Sequence, residues 1–496
     1  AYTSFCLLSG KSKFFGFLFF CVREDLNKML EKINQFLSWF DGIVWGIPLI
    51  VLVMAVGLLL TVRMGLLQVF HLPKALRFMV KNENEGKGEV TSFGALCTAL
   101  SATIGTGNIV GVATAIVSGG PGALFWMWIA AFLGMATKYA EGFLAVKYRQ
   151  IDENNHVLGG PFYYIEKGMG VKWRWLGKVF AFFGMFVGLL GIGTFTQVNG
   201  ITSAANNFFD ANNRFAVSLF GRDYSWSVVI AGFIVAVCAG LVIIGGIKRI
   251  ATVSEVIVPF MAILYVAICL FLLIINFKAI PAAVVEIVEG AFGMRAAAGG
   301  AIGAMIAAMQ KGVARGIFSN ESGLGSAPIA AAAAKTNSPV RQGLVSMTGT
   351  FIDTIVICTM TGLCIVITGS WNIGLKGVAV TTNAFQQGLP FPAQVSSFLL
   401  MLCLIFFAFT TILGWDYYSE RCIEYLANGK QRPVRIFRWL YILAVFIGPY
   451  MTVEAVWNIA DIFNGLMAFP NIVALFALSG IVVAETNKCL KNKELD

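Results

Sequence analysis

The sequence predicts an all-α polytopic membrane protein of eleven transmembrane helices: one leading helix, then ten forming two five-helix repeats of opposite topology. Three observations predict it. Hydrophobic residues make up 58% of the 496, charged residues only 12%, and the mean hydropathy is +0.78. Soluble domains carry about 25% charged residues, so too little polar surface exists to face water, and lipid is the solvent for most of the chain. The uncharged runs have the length of membrane spans, about 20 residues. Finally, two runs five spans apart contain clusters of Gly, Asn, Ser and Thr that an ordinary span does not need.

Taken in order, residues 1–30 hold a short apolar stretch (14–22) between Lys13 and Arg23 that is too short to span. The amphipathic stretch 24–40 suits a surface helix. Residues 43–62 form the first span, between Asp41 and Arg63. The uncharged run 90–137 is twice a span's length, and Ser118-Gly-Gly-Pro-Gly122 supplies the turn that divides it. Further spans fall near 178–204, 226–247, 254–276, 298–318, 344–369, 394–420, 436–454 and 459–484. The division is then 1–40 N-terminal extension, 41–88 extra helix and loop, 89–277 first repeat, 278–486 second repeat and 487–496 tail. Eleven spans put the termini on opposite sides. Loops on the C-terminal side hold 22 Lys or Arg against 10 on the other. The positive-inside bias therefore places the C-terminus in the cytoplasm and the N-terminus outside.

The net charge of +10 reflects that bias, since no basic stripe with interleaved aromatics suggests nucleic acid. No two of the ten Cys form a CxxC pair, and most lie inside apolar runs as small fillers. His71 and His156 fall in hydrophilic connections without a catalytic pattern. The expectation is no metal beyond a transported ion, and no enzyme.

Span 2 contains Ser101-Ala-Thr-Ile-Gly-Thr-Gly-Asn108, and span 7 runs through Phe318-Ser-Asn-Glu-Ser-Gly-Leu-Gly-Ser-Ala-Pro328. Backbone that leaves a helix in mid-membrane must line a cavity or bind something. Because five is odd, spans 2–6 repeated as 7–11 are inverted, and matching broken helices in inverted repeats point to a transporter's binding site. Gly107-x-x-x-Gly111 alone also reads as helix packing. Gly105-x-Gly107 lacks the strand and third glycine of a nucleotide loop, and Ser322 has no His in any span to serve as its base. A channel would also place polar backbone at this depth, but usually by symmetry between subunits.

Ala102-Thr-Ile-Gly-Thr-Gly-Asn-Ile-Val-Gly111, Gly119-Gly-Pro-Gly-Ala-Leu-Phe-Trp-Met-Trp128, Lys138-Tyr-Ala-Glu141, Gly159-Gly-Pro-Phe-Tyr-Tyr164, Asn320-Glu-Ser-Gly-Leu-Gly-Ser-Ala-Pro328 and Thr410-Thr-Ile-Leu-Gly-Trp415 resemble the alanine or glycine:cation symporter family. The resemblance spans roughly residues 41–485. It implies a leucine-transporter-type core of two inverted five-helix repeats. It also implies sodium-coupled import of alanine or glycine, with D-alanine taken by some members, at a plasma membrane, with Na+ as coupling ion. Inverted repeats within one chain make a monomer sufficient.

A small zwitterion needs both charges held. The carboxylate suits the amides of Thr106, Gly107 and Asn108 at a half-helix N-terminus, which carries about half a positive charge. The ammonium suits carbonyls near Asn320 and the amide of Gln197, which otherwise serves as helix glue. The resemblance places Phe318 and Trp415 as walls that limit side-chain size, with Thr411 beside the substrate. It also sets the carbonyls of Ser101 and Ile104 opposite the hydroxyls of Thr410 and Thr411 as a sodium site; the ordinary alternative is that each threonine bonds its own preceding turn. Asp353 has eleven uncharged residues before it and twenty-two after. A carboxylate at that depth binds a second cation, carries a proton, or pairs with Lys311 or Arg315. Glu321 is a second partner open to Arg315.

Overall fold

The structure, a computed structural model, describes residues 29, 31–81, 86–153, 156–210, 214–219, 222–294, 300–451 and 453–492. The expectations for residues 1–28 lie outside it. Residues 31–44 are helical and pass, after an interruption at Trp45-Gly46, into α1 (Ile47–Arg63), whose first turn takes Pro48 where no N–H is needed. The first half of span 2 is α2 (Ser92–Thr103), capped by the Thr91 hydroxyl. Its second half is a π turn (Gly107–Gly111) continuing into α3 (Val112–Gly119), and the two halves are bent by 50°. There follow α4 (Gly122–Tyr148), α5 (Arg174–Leu190), α6 (Phe195–Phe209), α7 (Trp226–Ile243), α8 (Gly246–Ile275) and the connecting helix α9 (Ile280–Ala291). The broken span 7 is α10 (Ala301–Asn320) and α11 (Ala327–Ala332). Span 8 is α12 (Pro339–Thr350), a π-helical stretch (Phe351–Cys358) and α13 (Thr359–Ile367). The chain ends with α14 (Val378–Gly388), α15 (Ala393–Leu426), α16 (Gln431–Ile447) and α17 (Val453–Lys491). Two antiparallel hairpins lie in connections: β1 (Gln150–Ile151) with β2 (Val157–Leu158), and β3 (Ala216–Leu219) with β4 (Arg222–Ser225).

Among the described residues eight helices are long and apolar enough to cross a membrane, or nine when the bent pair of span 2 is one span. Two of the eleven expected spans fall short of that measure: α10 carries Lys311 and Arg315, and α16 has only 17 residues. One other expectation changes. Span 3 runs past the uncharged run to Tyr148, taking Lys138 and Glu141 into the buried interior. Span 4 is divided at residues 191–194 into α5 and α6, where α15 and α16 approach closely: a Cβ on Gly193 would lie 2.6 Å from Trp415 Cβ and 2.7 Å from the Tyr441 hydroxyl.

The exposed faces suit lipid. Phe233 and Leu241 of α7, and Ile263 and Ile274 of α8, point outward, whereas α4 is buried along most of its length at the centre of the bundle. Small residues bring helices together. A Cβ on Gly312 of α10 would lie 2.2 Å from Ala123 O of α4, and one on Gly414 of α15 would lie 2.7 Å from Ala102 N of α2.

Candidate functional site

The first break begins where Ile104 leaves helical geometry (ψ 94°). No side chain larger than hydrogen fits at Gly105, where a Cβ would lie 2.4 Å from Thr411 Oγ1 and 3.0 Å from Gln197 Oε1. The freed amides find local partners: Gly105 N–H donates to Asn108 Oδ1 (2.8 Å) and Thr106 N–H to Gln197 Oε1 (3.1 Å). Asn108 N–H donates to Gly105 O (3.2 Å). The Thr106 hydroxyl is buried and has no partner among the described residues.

The second break begins as α10 ends at Asn320. Glu321 is left-handed (φ 56°), Gly323 (φ 85°) and Gly325 (φ 83°) follow, and α11 resumes at Ala327. One face of α4 holds both sides of the gap. Lys138 Nζ donates to Asn320 O (2.8 Å), while Glu141 Oε1 accepts from Gly325 N–H (3.1 Å) and Asn471 Nδ2 (2.7 Å). A cation therefore sits on the carbonyl end of one half-helix and an anion near the amide end of the other, as their dipoles require. Glu321 accepts from Trp415 Nε1 (2.8 Å) and Ser326 Oγ (2.5 Å), which fastens the gap to α15.

Between the breaks lies a third group. Asp353, in the π-helical part of span 8, accepts from Asn108 Nδ2 (2.6 Å), Ser319 Oγ (2.9 Å) and Thr354 Oγ1 (2.7 Å), and Asn320 Nδ2 donates to Thr354 Oγ1 (3.0 Å). It thereby joins both interrupted helices. Gly107 packs against Phe318 and Ser319, where a Cβ would meet both at 3.4 Å.

The structure thus brings Thr106, Gly107, Asn108, Gln197, Phe318, Asn320, Thr411, Trp415 and Asp353 to one buried region. Thr411 Oγ1 reaches Ile104 O (3.3 Å) while also bonding Phe407 O (3.0 Å) of its own turn. Thr410 differs: its hydroxyl bonds Phe406 O and Phe407 O and turns to Met261 Sδ (3.4 Å). The Ser101 hydroxyl likewise bonds its own turn, at Thr98 O. Gln197 grips the backbone of span 2 rather than standing free.

Two pairings considered for Arg315 do not occur. Arg315 binds Asp461 through two contacts (2.8 and 3.1 Å) and lies over the rings of Phe318 and Trp457, so it pairs with neither Asp353 nor Glu321. Lys311 is not within ion-pair distance of Asp353 either; among the described residues no cationic side chain is. The residues that sequence reasoning left without a role are Lys138, Glu141, Ser319, Thr354 and Asn471. For the first two a signal existed, since a Lys and a Glu three apart in an apolar stretch face one way on a helix.

A family model described as the sodium:alanine symporter family matches residues 30–496. The chain belongs to the sodium:alanine symporter family. A sodium/alanine symporter of Methanococcus maripaludis is 45% identical over 481 residues, 95% of this chain and 99% of the relative. An uncharacterised transporter of Haemophilus influenzae is 54% identical over 456 residues, 92% of this chain and 95% of the relative. The solved structure of MhsT in complex with L-phenylalanine superposes with a TM-score of 0.54 at 12% identity, over 81% of this chain and 98% of that one, and it shares the leucine-transporter-type fold. This member of the symporter family is accordingly a multi-pass membrane transporter for amino acids.

Proposed function

We propose that the protein is a sodium-coupled symporter that imports alanine, glycine or both by alternating access. The observation that carries this reading is the meeting of both broken helices with α15 in one buried region, where the Ile104 carbonyl lies 3.3 Å from the Thr411 hydroxyl. The substrate carboxylate lies at Thr106, Gly107 and Asn108, where the unpartnered Thr106 hydroxyl offers a donor. The ammonium meets Gln197, Asn320 and Thr411. Phe318 and Trp415 limit the side chain to a methyl group or hydrogen. Sodium lies between the carbonyls of Ser101 and Ile104 and the Thr411 hydroxyl, with Thr410 beside it.

The same proposal takes α10 and α16 as the two further spans. They complete an eleven-helix chain with inverted repeats, an outside N-terminus and a cytoplasmic C-terminus, set in the plasma membrane and active as a monomer. Sodium bound at the junction of span 2 and α15 favours the arrangement in which both breaks are formed, and linkage makes its help to substrate reciprocal.

Asp353 supports a second reading. A fully buried carboxylate with three hydrogen-bond donors and, among the described residues, no cationic side chain within ion-pair distance suits a second cation, or a proton in a proton-coupled carrier. Uptake of labelled L-alanine and, separately, of labelled glycine into proteoliposomes tests both. Accumulation under an inward sodium gradient, and not under choline with a pH gradient, supports the symporter. Accumulation driven by pH alone moves the coupling to Asp353. No uptake of alanine or glycine under either gradient excludes both substrates.

A further inference from the structure

Asp416 follows Trp415 in α15 but points elsewhere, toward α16. Its side chain is fully buried, and neither carboxylate oxygen has a hydrogen-bond partner among the described residues. No other carboxylate in the described interior lacks a partner on both oxygens. Its charged neighbours are Glu420, one turn further along the same helix, and Arg438 of α16. Arg438 is already engaged: Nε and Nη2 bind the two oxygens of Glu420, the second at 2.8 Å. Tyr441 of α16 also faces Asp416, but its hydroxyl donates to Gly193 O (2.9 Å) and Ile412 O (2.7 Å). In the first turn of α8, Gly246 approaches Arg438, and Lys248 lines the cavity that Glu420 and Arg438 also line.

An ionised carboxylate withdrawn from water without a donor or counter-ion costs several kcal/mol. Asp416 is therefore neutral in this arrangement. A metal cation would need a shell of oxygens, and the one adjacent carboxylate is occupied by Arg438. A proton is the ligand that fits. Glu420 and Arg438 line an open cavity of about 590 Å³, and Asp416 lies one helical turn from Glu420 in its wall.

We propose that Asp416 is a proton-binding site, distinct from the sodium and substrate site, that exchanges its proton with the water of this cavity. Release leaves a carboxylate at Asp416 and transfers the proton to cavity water. The new charge draws Arg438 one turn deeper, away from Glu420, and loosens the packing of α15 on α16. Protonation thus favours the packed arrangement and ionisation the opened one. That the cavity is cytoplasmic rests on the orientation proposed above.

The test varies internal pH in proteoliposomes at fixed external pH and fixed sodium gradient. Wild-type uptake is expected to change severalfold with internal pH. Asp416→Asn, similar in shape and permanently neutral, is expected to transport at every internal pH as the wild type does at its most acidic. A flat wild-type profile, or a variant profile that overlays the wild type, overturns the proposal. Infrared difference spectra of wild type against Asp416→Asn give a readout independent of transport. A protonated-carboxyl carbonyl band lost in the variant supports the site even where sodium drives no uptake, and its absence at neutral pH overturns it. Should the variant not fold, the wild-type profile still decides, joined to Arg438→Gln, which removes the cation that favours ionisation. A profile shifted to higher pH is expected, and an unshifted one overturns the assignment.

Discussion

The two adjacent threonines of α15 have the same chemistry but different surroundings. Thr411 faces the unwound carbonyl of Ile104, whereas Thr410 faces Met261 and its own helix. A hydrogen bond or ligand contact to a charged group contributes about 1.5–3 kcal/mol, and each 1.4 kcal/mol is about tenfold in an equilibrium constant. Thr411→Ala is therefore expected to raise the sodium concentration for half-maximal uptake by about 10–100-fold, and Thr410→Ala by less than about threefold. Sodium titration of alanine uptake measures both, and equal effects would move the ion off Thr411. At this scale the sequence shows that two hydroxyls lie deep in an apolar run, but not which one faces the partner. That choice depends on how α15 is rotated against span 2, which the contact of Gly414 with Ala102 sets. Asp353 is similar. Its burial is legible from the uncharged run around it, whereas its three donors come from spans 2, 7 and 8 and become neighbours only on folding.

Between elements, the gap in span 7 is held from outside itself. Lys138 and Glu141 supply charges of opposite sign to the two half-helix ends from one face of α4. Lys138→Met strips the Asn320 carbonyl of its donor and leaves Glu141 and Glu321 without the nearest buried cation. Breaking such a buried arrangement from one side costs about 3–5 kcal/mol, so a clear fall in melting temperature and loss of uptake are expected. An unchanged melting temperature would show that the capping contributes nothing. The breaks themselves were legible because glycine, asparagine and serine are clustered where a span needs none. The interruption between α5 and α6 is not, because Gly191 and Gly193 lie in an otherwise apolar run and the close approach of α15, α16 and α17 there comes only with folding.

The loop ends are joined by a different chemistry. In the connection after α4, His156 places Nδ1 2.9 Å from Glu89 and Nε2 2.9 Å from Glu424, tying the entry of span 2 to the end of α15. The bond to Glu424, then that to Glu89, holds the imidazolium and pushes its pKa up to about 9. The folded value lies above the unfolded one near 6.5, so the stability from this contact is full below about pH 6.5 and is lost as pH rises through about 9. Thermal melts at pH 6 and pH 9.5 are expected to show a larger drop for the wild type than for His156→Gln, and equal drops would remove His156 from the account.

For the whole molecule, the open quantity is how many times the chain crosses, and the physics of α10 and α16 decides it. Hydropathy passes over both for reasons the fold supplies. The Arg315 charge of α10 is met inside the bundle by Asp461 and two aromatic faces, and so is not presented to lipid. The 17 residues of α16 give roughly 26 Å of helix at 1.5 Å each, slightly under the 30 Å of a typical hydrocarbon core, and a modest thinning of the bilayer accommodates such a shortfall. Its exposed face carries Ile436, Trp439, Leu440 and Leu443, the side chains expected against acyl chains. If α16 crosses, Asn428 just before it and Tyr450 just after it lie on opposite sides. Single cysteines at these two positions, in a cysteine-free chain, are expected to react with an impermeant maleimide from opposite faces, Asn428→Cys from the cytoplasm and Tyr450→Cys from outside. Labelling of both from one face would mean that α16 turns back. The inverted pairing of spans 2–6 with 7–11 would then lose its fourth member, and with it the symmetry by which one bundle rocks against the rest.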